Sequence, residues 1–201
     1  ILHSPKNKYS KQLGDGKLLS QLSKKKVIYD FRQNDLVKGG DGAPLSPIFH
    51  QLIVKEKKIS LPVCFLNIGG ISNFTFIKDF IEQNLISKDI GPGNCLIDEW
   101  MRRNKKGNYD KNGETASSGK TNELTLNQAL EDFENVTDKN MNSFDVNDFE
   151  INFLRGLDLE DGASTITDFT SNIIASELLS EISKSNLKIT KIILCGGGRK
   201  N

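Results

Sequence analysis

A carboxylate beside a stiff turn is the first feature of this sequence that could do chemistry. Residues 88–94 read KDIGPGN, so Asp89 stands just before Gly91, Pro92 and Gly93. Glycine and proline in this order favour a tight, fixed turn. An acid held there could act as a general base on water or a hydroxyl, which requires a distance of about 3 Å to the proton that it removes. A turn or helix-capping Asp is the alternative.

Two glycine turns could bind an anion. Gly69 and Gly70 follow one β-prone run, and residues 196–198, all glycine, follow another. Without Cβ atoms, such turns let backbone N–H groups approach a phosphate closely. Polar Asn73, Thr75 and Asn201 lie close by in sequence, and together these features favour a nucleotide site. A plain hairpin and a sharp connection are the alternatives.

The segment DFRQND at residues 30–35 offers two acids and an arginine. The planar guanidinium of Arg32 suits carboxylates and phosphates, while a structural salt-bridge cluster with Asp30 and Asp35 explains the pattern equally well. With only two histidines in the chain, no metal cluster is predicted. His50 follows apolar residues, which favours a packed, hydrogen-bonded imidazole.

The elements that must position these residues follow from local patterns. Residues 61–77 predict a hairpin with a two-residue Gly-Gly turn, whose centres take positive φ. Helices are predicted from Pro47 onward, over 95–103 with Asn94 as its cap, around 123–133, and over 165–183. In the last of these, Ile166, Phe169, Ile173, Leu178 and Ile182 share one face. Short strands are predicted at 26–31 and, buried, at 191–195.

Composition excludes several classes of protein. The 201 residues are 36% hydrophobic and 26% charged, with a formal net charge of +1, so neither a nucleic acid nor a membrane is expected as a partner. No run reaches the roughly 18 to 20 apolar residues that span a bilayer. Three separated cysteines favour reduced thiols and a cytoplasmic location. The chain begins ILHSP, without Met, and is expected to lack its N-terminus.

Five segments together resemble the anhydro-N-acetylmuramic acid kinase family, in the family's order and spacing. They are VIYDFRQNDLVKGGDGAPLSPIFH, LNIGGISN, DIGPGNCLIDEW, SFDVNDF and ILCGGGRKN, at residues 27–50, 66–73, 89–100, 143–149 and 193–201. Three positions depart from the family pattern. Asp41 stands where Gln is usual, Ile90 where Thr is usual, and Val146 where Arg is usual.

The resemblance implies an α/β protein with the ribonuclease-H-like fold of the actin-like ATPases, as part of a two-domain sugar kinase. Residues 1–60 would end the N-terminal domain and line the sugar cleft, and residues 61–201 would form the C-terminal domain. The implied reaction uses ATP and Mg²⁺ to open 1,6-anhydro-N-acetylmuramic acid with water and phosphorylate its 6-oxygen, in cell-wall recycling. The implied oligomer is a homodimer.

The resemblance also assigns residues, with Asp89 as the general base. Nucleotide binding falls to Asn67, Gly69, Gly70, Asn73, Gly196, Gly197, Gly198 and Asn201. Substrate binding falls to Asp30, Arg32, Asp35, Gly40, Gly42, Ala43, Pro44, His50, Gly91 and Asn94. The family's GTSxDG segment is absent, so the chain is expected to be an internal fragment, inactive alone. A sugar-binding remnant and a non-kinase ATPase module are the alternative functions.

Overall fold

The structure, a computed structural model, describes residues 2–4, 7–40, 42–43, 45–81, 84–136, 144–185, 189 and 191–200. The chain divides into two compact units, Ile1–Phe49 and His50–Asn201. The domain boundary that the sequence predicts between residues 60 and 61 stays a prediction.

The first unit is a small hairpin with two short helices. Strands β1 (Leu2–Ser4) and β2 (Tyr9–Lys11) pair antiparallel. Helix α1 (Gly16–Ser23) is capped by Asp15, whose carboxylate accepts the Leu18 N–H at 2.9 Å, and helix α2 (Phe31–Val37) follows. The strand predicted at 26–31 is wrong, because residues 26–30 have no regular structure and Phe31 opens α2. An extended run becomes a strand only beside a pairing neighbour.

A four-stranded mixed sheet organises the second unit. Its strands are β3 (Val63–Ile68), β4 (Ile71–Ile77), β5 (Ile86–Pro92) and β6 (Lys191–Cys195), in the order β5-β4-β3-β6. Strand β4 runs antiparallel to both β3 and β5, and β6 lies parallel to β3. The chain therefore crosses from β5 to the far edge of this sheet through its helices.

The helices follow the predicted spacing closely. Helix α3 (Ser46–Glu56) precedes the sheet, and α4 (Cys95–Arg103), α5 (Glu114–Ser118), α6 (Glu123–Val136) and α7 (Leu159–Ser185) lie between β5 and β6. All four predicted helices are confirmed. Short 3₁₀ turns at Val146–Asp148 and Asn152–Leu154 connect α6 to α7.

Alternation along β4 divides the interior into two apolar clusters. Phe74 and Phe76 pack with α4, α6 and α7, while Ile77 packs with Val54 and Phe65. The α7 residues predicted to share one face, Ile166, Phe169, Ile173, Leu178 and Ile182, all belong to the first cluster. Because successive strand residues point to opposite faces, one strand serves both clusters.

The strand at 191–195 is present but not buried. Ile192 and Leu194 are 47% and 51% exposed, because β6 is the edge strand of the described sheet. The prediction of a buried strand is therefore wrong for the described part of the chain. Within that part, every helix is too short or too polar to cross a membrane.

Candidate active site

The turn after β5 is joined to the glycine hairpin by three backbone hydrogen bonds. The Gly93 and Cys95 amides donate to the Gly70 carbonyl at 2.9 and 3.2 Å, and the Asn94 amide donates to the Gly69 carbonyl at 2.7 Å. A Cβ on Gly93 would lie 2.3 Å from the Gly69 oxygen. Only glycine therefore allows this approach, and the DIGPGN and GG segments form one structural unit.

The hairpin turn differs from the predicted one. Ile68 pairs with Ser72, so three residues separate the paired ends. Neither Gly69 nor Gly70 has a positive φ, which excludes the predicted two-residue turn. The carbonyl contacts with the β5 turn hold this loop instead. A Cβ on Gly70 would meet nothing within 4 Å, so the tip of the loop is open to an approaching group.

Asp89 lies where β5 shifts its register against β4. Asn73 pairs with Asp89 and Ser72 pairs with Gly91, which leaves Ile90 as an extra residue, a β-bulge. Bulges turn side chains and are frequent beside active sites. The Asp89 Oδ2 accepts the Phe144 amide at 3.0 Å. This hydrogen bond fixes the orientation of the carboxylate.

Asn94 and the triple-glycine turn meet at the end of β3. Asn94 occupies the N-cap position of α4 without a capping hydrogen bond, so the predicted cap is wrong. Its amide instead donates to the Ile68 carbonyl at 3.3 Å. A Cβ on Gly196 would lie 2.3 Å from that same oxygen, and one on Gly198 would lie 2.3 Å from the Ile68 side chain. The close packing against Ile68 therefore requires glycine at positions 196 and 198, whether or not the turn also binds a ligand.

A polar cavity of about 690 Å³ opens beside this junction. Its walls include Asn94, Asp98, Arg102, Asn108, Tyr109, Asp110, Lys111, Asn112, Gly197 and Lys200. The volume falls within the roughly 300 to 1,000 Å³ of ordinary ligand sites. Three cationic side chains in its walls suit an anionic ligand. Burial raises the pKa of Asp98, partly offset by Arg102 one helical turn away.

In the first unit, four predicted substrate residues form one small loop. Arg32 donates to the Gly42 carbonyl at 3.1 Å, and the Gly42 amide donates to Asp35 Oδ2 at 2.8 Å. A Cβ on Gly40 would lie 2.2 Å from the same carboxylate oxygen. Ala43 follows directly. Arg32 and Asp35 therefore brace the glycine loop, and neither belongs to an ion pair among the described residues.

Asp30 has a backbone conformation that is unusual for a side chain. Its φ is +67°, at the start of α2, and its side chain makes no capping bond. Asp tolerates this left-handed region better than most residues. Asp30 also lines an open cavity of about 770 Å³ in the first unit, together with Ser10, Gln33 and Tyr29.

His50 is a packed imidazole, as its apolar neighbours predict. Its ring stacks on Phe65 with centroids 4.5 Å apart, and its Nδ1 lies 3.0 Å from Thr75 Oγ1. Burial lowers the pKa of His50. Thr75 is fully buried in this pair, so its side chain is not available to the glycine turns. The predicted sugar contact of His50 stays a prediction.

Within the second unit, many of the predicted catalytic and nucleotide-binding residues lie close together. The glycine turns, Asn94 and Asp89 with its turn adjoin one another through β3, β4 and β5. Asn67 and Asn73 pair across the base of the hairpin. Pro44, Asp41 and Asn201 lie outside the described residues. The first unit holds the Asp30 to Ala43 residues separately.

Sequence patterns missed the opposite wall of the polar cavity. Arg102, Tyr109, Lys111 and Lys200 lie in its walls, yet residues 104–113 show only a polar stretch without a motif. Only the helical spacing of α4 could have indicated part of this wall. Asp98 and Arg102 are one helical turn apart and share a face with Asn94.

Comparison with known proteins agrees with these motifs. The family model for anhydro-N-acetylmuramic acid kinase matches residues 1–201. The anhydro-N-acetylmuramic acid kinase of Pelagibacter ubique is 51% identical over 201 residues, covering 100% of this chain and 54% of the relative. Those of Brucella canis and Zymomonas mobilis are each 39% identical over 203 residues, and the chain covers 52% and 53% of them.

This chain therefore spans about half the length of the curated relatives that it matches. Because the family model covers every residue, the chain belongs to the anhydro-N-acetylmuramic acid kinase family.

Proposed function

We propose that residues 1–201 are part of an ATP-dependent kinase that acts on 1,6-anhydro-N-acetylmuramic acid. The enzyme opens the anhydro ring with water and phosphorylates the 6-oxygen, yielding N-acetylmuramic acid 6-phosphate and ADP. Family membership supports the reaction class. The observation that carries the proposal is Asp89, held by the Phe144 amide at a bulge beside the joined glycine turns.

Asp89 is the general base in this proposal. It takes a proton from water, whose oxygen bonds to the anomeric carbon as the bond from that carbon to the 6-oxygen breaks. The freed 6-oxygen attacks the γ-phosphorus, and the oxygen bridging the β- and γ-phosphorus atoms leaves with ADP. Both steps depend on positioning, which the hydrogen-bonded turn and the oriented carboxylate supply.

The nucleotide lies along the glycine turns in this proposal. Phosphates approach the open loop at Gly69 and Gly70, and the nucleoside enters the polar cavity beside Gly197. Arg102, Lys111 and Lys200 outnumber the carboxylates of Asp98 and Asp110 in its walls, so the cavity has a slight positive charge that suits the entry of a nucleotide whose phosphates lie nearby. Tyr109, 60% exposed, offers a ring that can stack on a base.

Magnesium is the metal expected with ATP. Among the described residues, no three His, Cys, Asp or Glu side chains are close enough to hold an ion. Mg²⁺ is often held by one or two carboxylates together with substrate phosphates. No step of the proposed reaction is therefore assigned to the metal here.

The sugar is the proposed ligand of the braced glycine loop in the first unit. Arg32 and Asp35 fix the backbone of that loop, and Asp30 precedes α2, the helix that carries both residues, with a left-handed φ of +67°. The assignment of Gly91, Asn94, His50 and Pro44 to the sugar rests on the family resemblance alone. Rigid loops of this kind suit recognition of a fixed ring.

The sheet supports a ribonuclease-H-like domain, with three antiparallel strands followed by helices and a strand parallel to the first. We extend the proposal to the two-domain layout, with residues 1–60 and 61–201 in different domains, a homodimer and a cytoplasmic location. Large apolar side chains of the first unit, including Leu13, Leu22 and Val37, are 70% to 89% exposed, as expected if further chain covers them.

The decisive experiment traces the oxygen atom that water adds to the anomeric carbon. The full-length protein is incubated with 1,6-anhydro-N-acetylmuramic acid and Mg-ATP in ¹⁸O-labelled water, and the product is analysed by mass spectrometry. A 6-phosphate with label at the anomeric oxygen is the expected result. A folded protein that binds the sugar and forms no sugar phosphate contradicts the proposal and favours a binding remnant, whereas ATP hydrolysis without sugar binding favours a non-kinase ATPase.

Asp89→Asn tests the base in the same assay. We expect phosphorylation to fall by roughly 10² to 10⁴ while ATP and sugar still bind. Asp79→Asn is the matched control, because Asp79 lies beyond the other end of β4 and its carboxylate accepts hydrogen bonds from its own loop, from the Ile81 amide and the Asn84 side chain. A near-normal rate for Asp89→Asn excludes Asp89 as the base, and loss of sugar binding instead makes it a substrate anchor.

A further inference from the structure

Strand β5 leaves its regular pairing at Asp89. Lys88 pairs with Phe74 and Asp89 with Asn73, and then Ile90 is inserted before Gly91 meets Ser72. A bulge loosens the ladder locally and adds twist. The sheet alone therefore does not fix the direction of the Asp89 side chain, and the residues on both sides of the bulge must be held by other contacts.

The side after the bulge is held by the backbone contacts already described. Gly93, Asn94 and Cys95 donate to the hairpin carbonyls. Gly91 also lies tightly against the helices, since a Cβ there would lie 2.9 Å from Ile173 and 3.3 Å from Phe133. This half of β5 has little freedom to shift.

The side before the bulge is held by the Lys88 side chain. Its Nζ lies 2.9 Å from Glu177 Oε2 and 3.0 Å from Glu181 Oε1, two carboxylates one turn apart on α7. The side chains of Lys88 and Glu181 are only 19% and 15% exposed. Because these two side chains are largely buried, their ion pair is held in one geometry, unlike most ion pairs on a protein surface.

Lys88 and Glu181 keep their charges at neutral pH. Burial lowers the pKa of Lys88, but the hydrogen bonds and charges of Glu177 and Glu181 outweigh it and raise the pKa overall. Burial likewise raises the pKa of Glu181, yet Lys184 and Lys88 together lower it below the usual value. The Lys88 ammonium and the Glu181 carboxylate therefore remain a charged pair.

We propose that Lys88 is a positioning residue for Asp89. By tying the residue immediately before the bulge to Glu177 and Glu181 of α7, it keeps the Asp89 carboxylate on the Phe144 amide. Consecutive residues of β5 are thus bound to two different parts of the unit, α7 and the segment entering the 3₁₀ turn at Val146. The catalytic meaning of this arrangement rests on the proposed function, whereas the positioning itself does not.

Hydrogen exchange of the Phe144 amide, measured by NMR on the full-length protein, tests the positioning directly. We expect Lys88→Met to speed this exchange by roughly tenfold, because the bond to Asp89 opens more often. Lys184→Met is the matched control. Lys184 contacts the same Glu181 at 2.9 Å but is 65% exposed and lies on α7 itself, so Phe144 exchange should not change.

Glu177→Gln gives a second variant should Lys88→Met fail to fold. It removes one of the two partners and should speed Phe144 exchange to a smaller extent. Unchanged Phe144 exchange in folded Lys88→Met or Glu177→Gln protein overturns the proposal, as does equal acceleration by Lys184→Met. These results do not depend on kinase activity, so they separate this inference from the proposed function.

Kinetics then test the catalytic consequence. In an active enzyme, Lys88→Met should lower kcat by roughly ten- to hundredfold, the scale of an ångström-sized misplacement, with the KM values for sugar and ATP within about twofold. Lys88→Arg should recover much of the loss, since it can still reach both carboxylates. Normal kcat despite faster Phe144 exchange, or a loss confined to KM, contradicts the positioning role in catalysis.

Discussion

Ser72→Ala should stabilise this protein. Ser72 lies in β4 next to the glycine hairpin, it is 0% exposed, and its Oγ makes no hydrogen bond within the described part of the chain. A buried hydroxyl without a partner carries its desolvation cost uncompensated. Alanine removes the hydroxyl and keeps the backbone and Cβ in place.

The expected gain follows from two opposing contributions. Leaving a buried hydroxyl unsatisfied costs roughly 1 to 3 kcal/mol, and removing one oxygen loses about 0.1 to 0.2 kcal/mol for each close contact. We therefore expect the free energy of unfolding to rise by about 1 kcal/mol. For a chain of this size, the melting temperature should rise by about 2 to 4 °C.

Ser87→Ala is the matched control for that experiment. Ser87 stands on the adjacent strand β5, but its hydroxyl donates to the Phe74 carbonyl at 2.8 Å and lies 3.4 Å from Thr75 Oγ1. Its removal should lower the free energy of unfolding by about 1 kcal/mol. Thermal and urea unfolding measure both variants. A lower melting temperature for Ser72→Ala would show that its hydroxyl is satisfied and refute the reasoning.

Two further predictions concern the interior. Ile90→Thr should destabilise the protein by roughly 2 kcal/mol, because it loses apolar packing and places a hydroxyl at a 2% exposed site; urea unfolding measures it, and an unchanged midpoint contradicts it. Burial raises the pKa of Cys64 to about 12 and of Cys95 to about 11, so iodoacetamide at pH 8 should label neither thiol until urea unfolds the chain, and prompt labelling in native buffer contradicts this.

Much of the second unit follows from local sequence rules. The 3.6-residue period of α7 and the bounds of β6 were readable because their apolar residues repeat along long or distinct runs. The alternation along β4 follows the same kind of local rule, since Phe74 and Phe76 lie in one cluster and Ile77 lies in the other. These patterns reflect the type and length of a single element, which its own residues determine.

The features that sequence rules missed depend on contacts between distant segments. The glycine hairpin avoids positive φ because the turn after β5 holds its carbonyls, and Asn94 leaves its capping role because the Ile68 carbonyl is within reach. The exposure of β6 and the lack of regular structure at residues 26–30 have the same cause, because neither segment has the neighbours that its sequence pattern led us to expect. A strand's burial and pairing depend on neighbours that its own sequence does not reveal.

Burial also separates two kinds of departure from the family motifs. Ile90, where Thr is usual, is 2% exposed. Its side chain cannot touch a ligand without rearrangement, so its effect should fall on stability and on the packing next to Asp89. Val146, where Arg is usual, is 48% exposed in the 3₁₀ turn two residues after Phe144. A change of charge at that exposed position, close in sequence to the amide that orients Asp89, is the departure with the more direct route to catalysis.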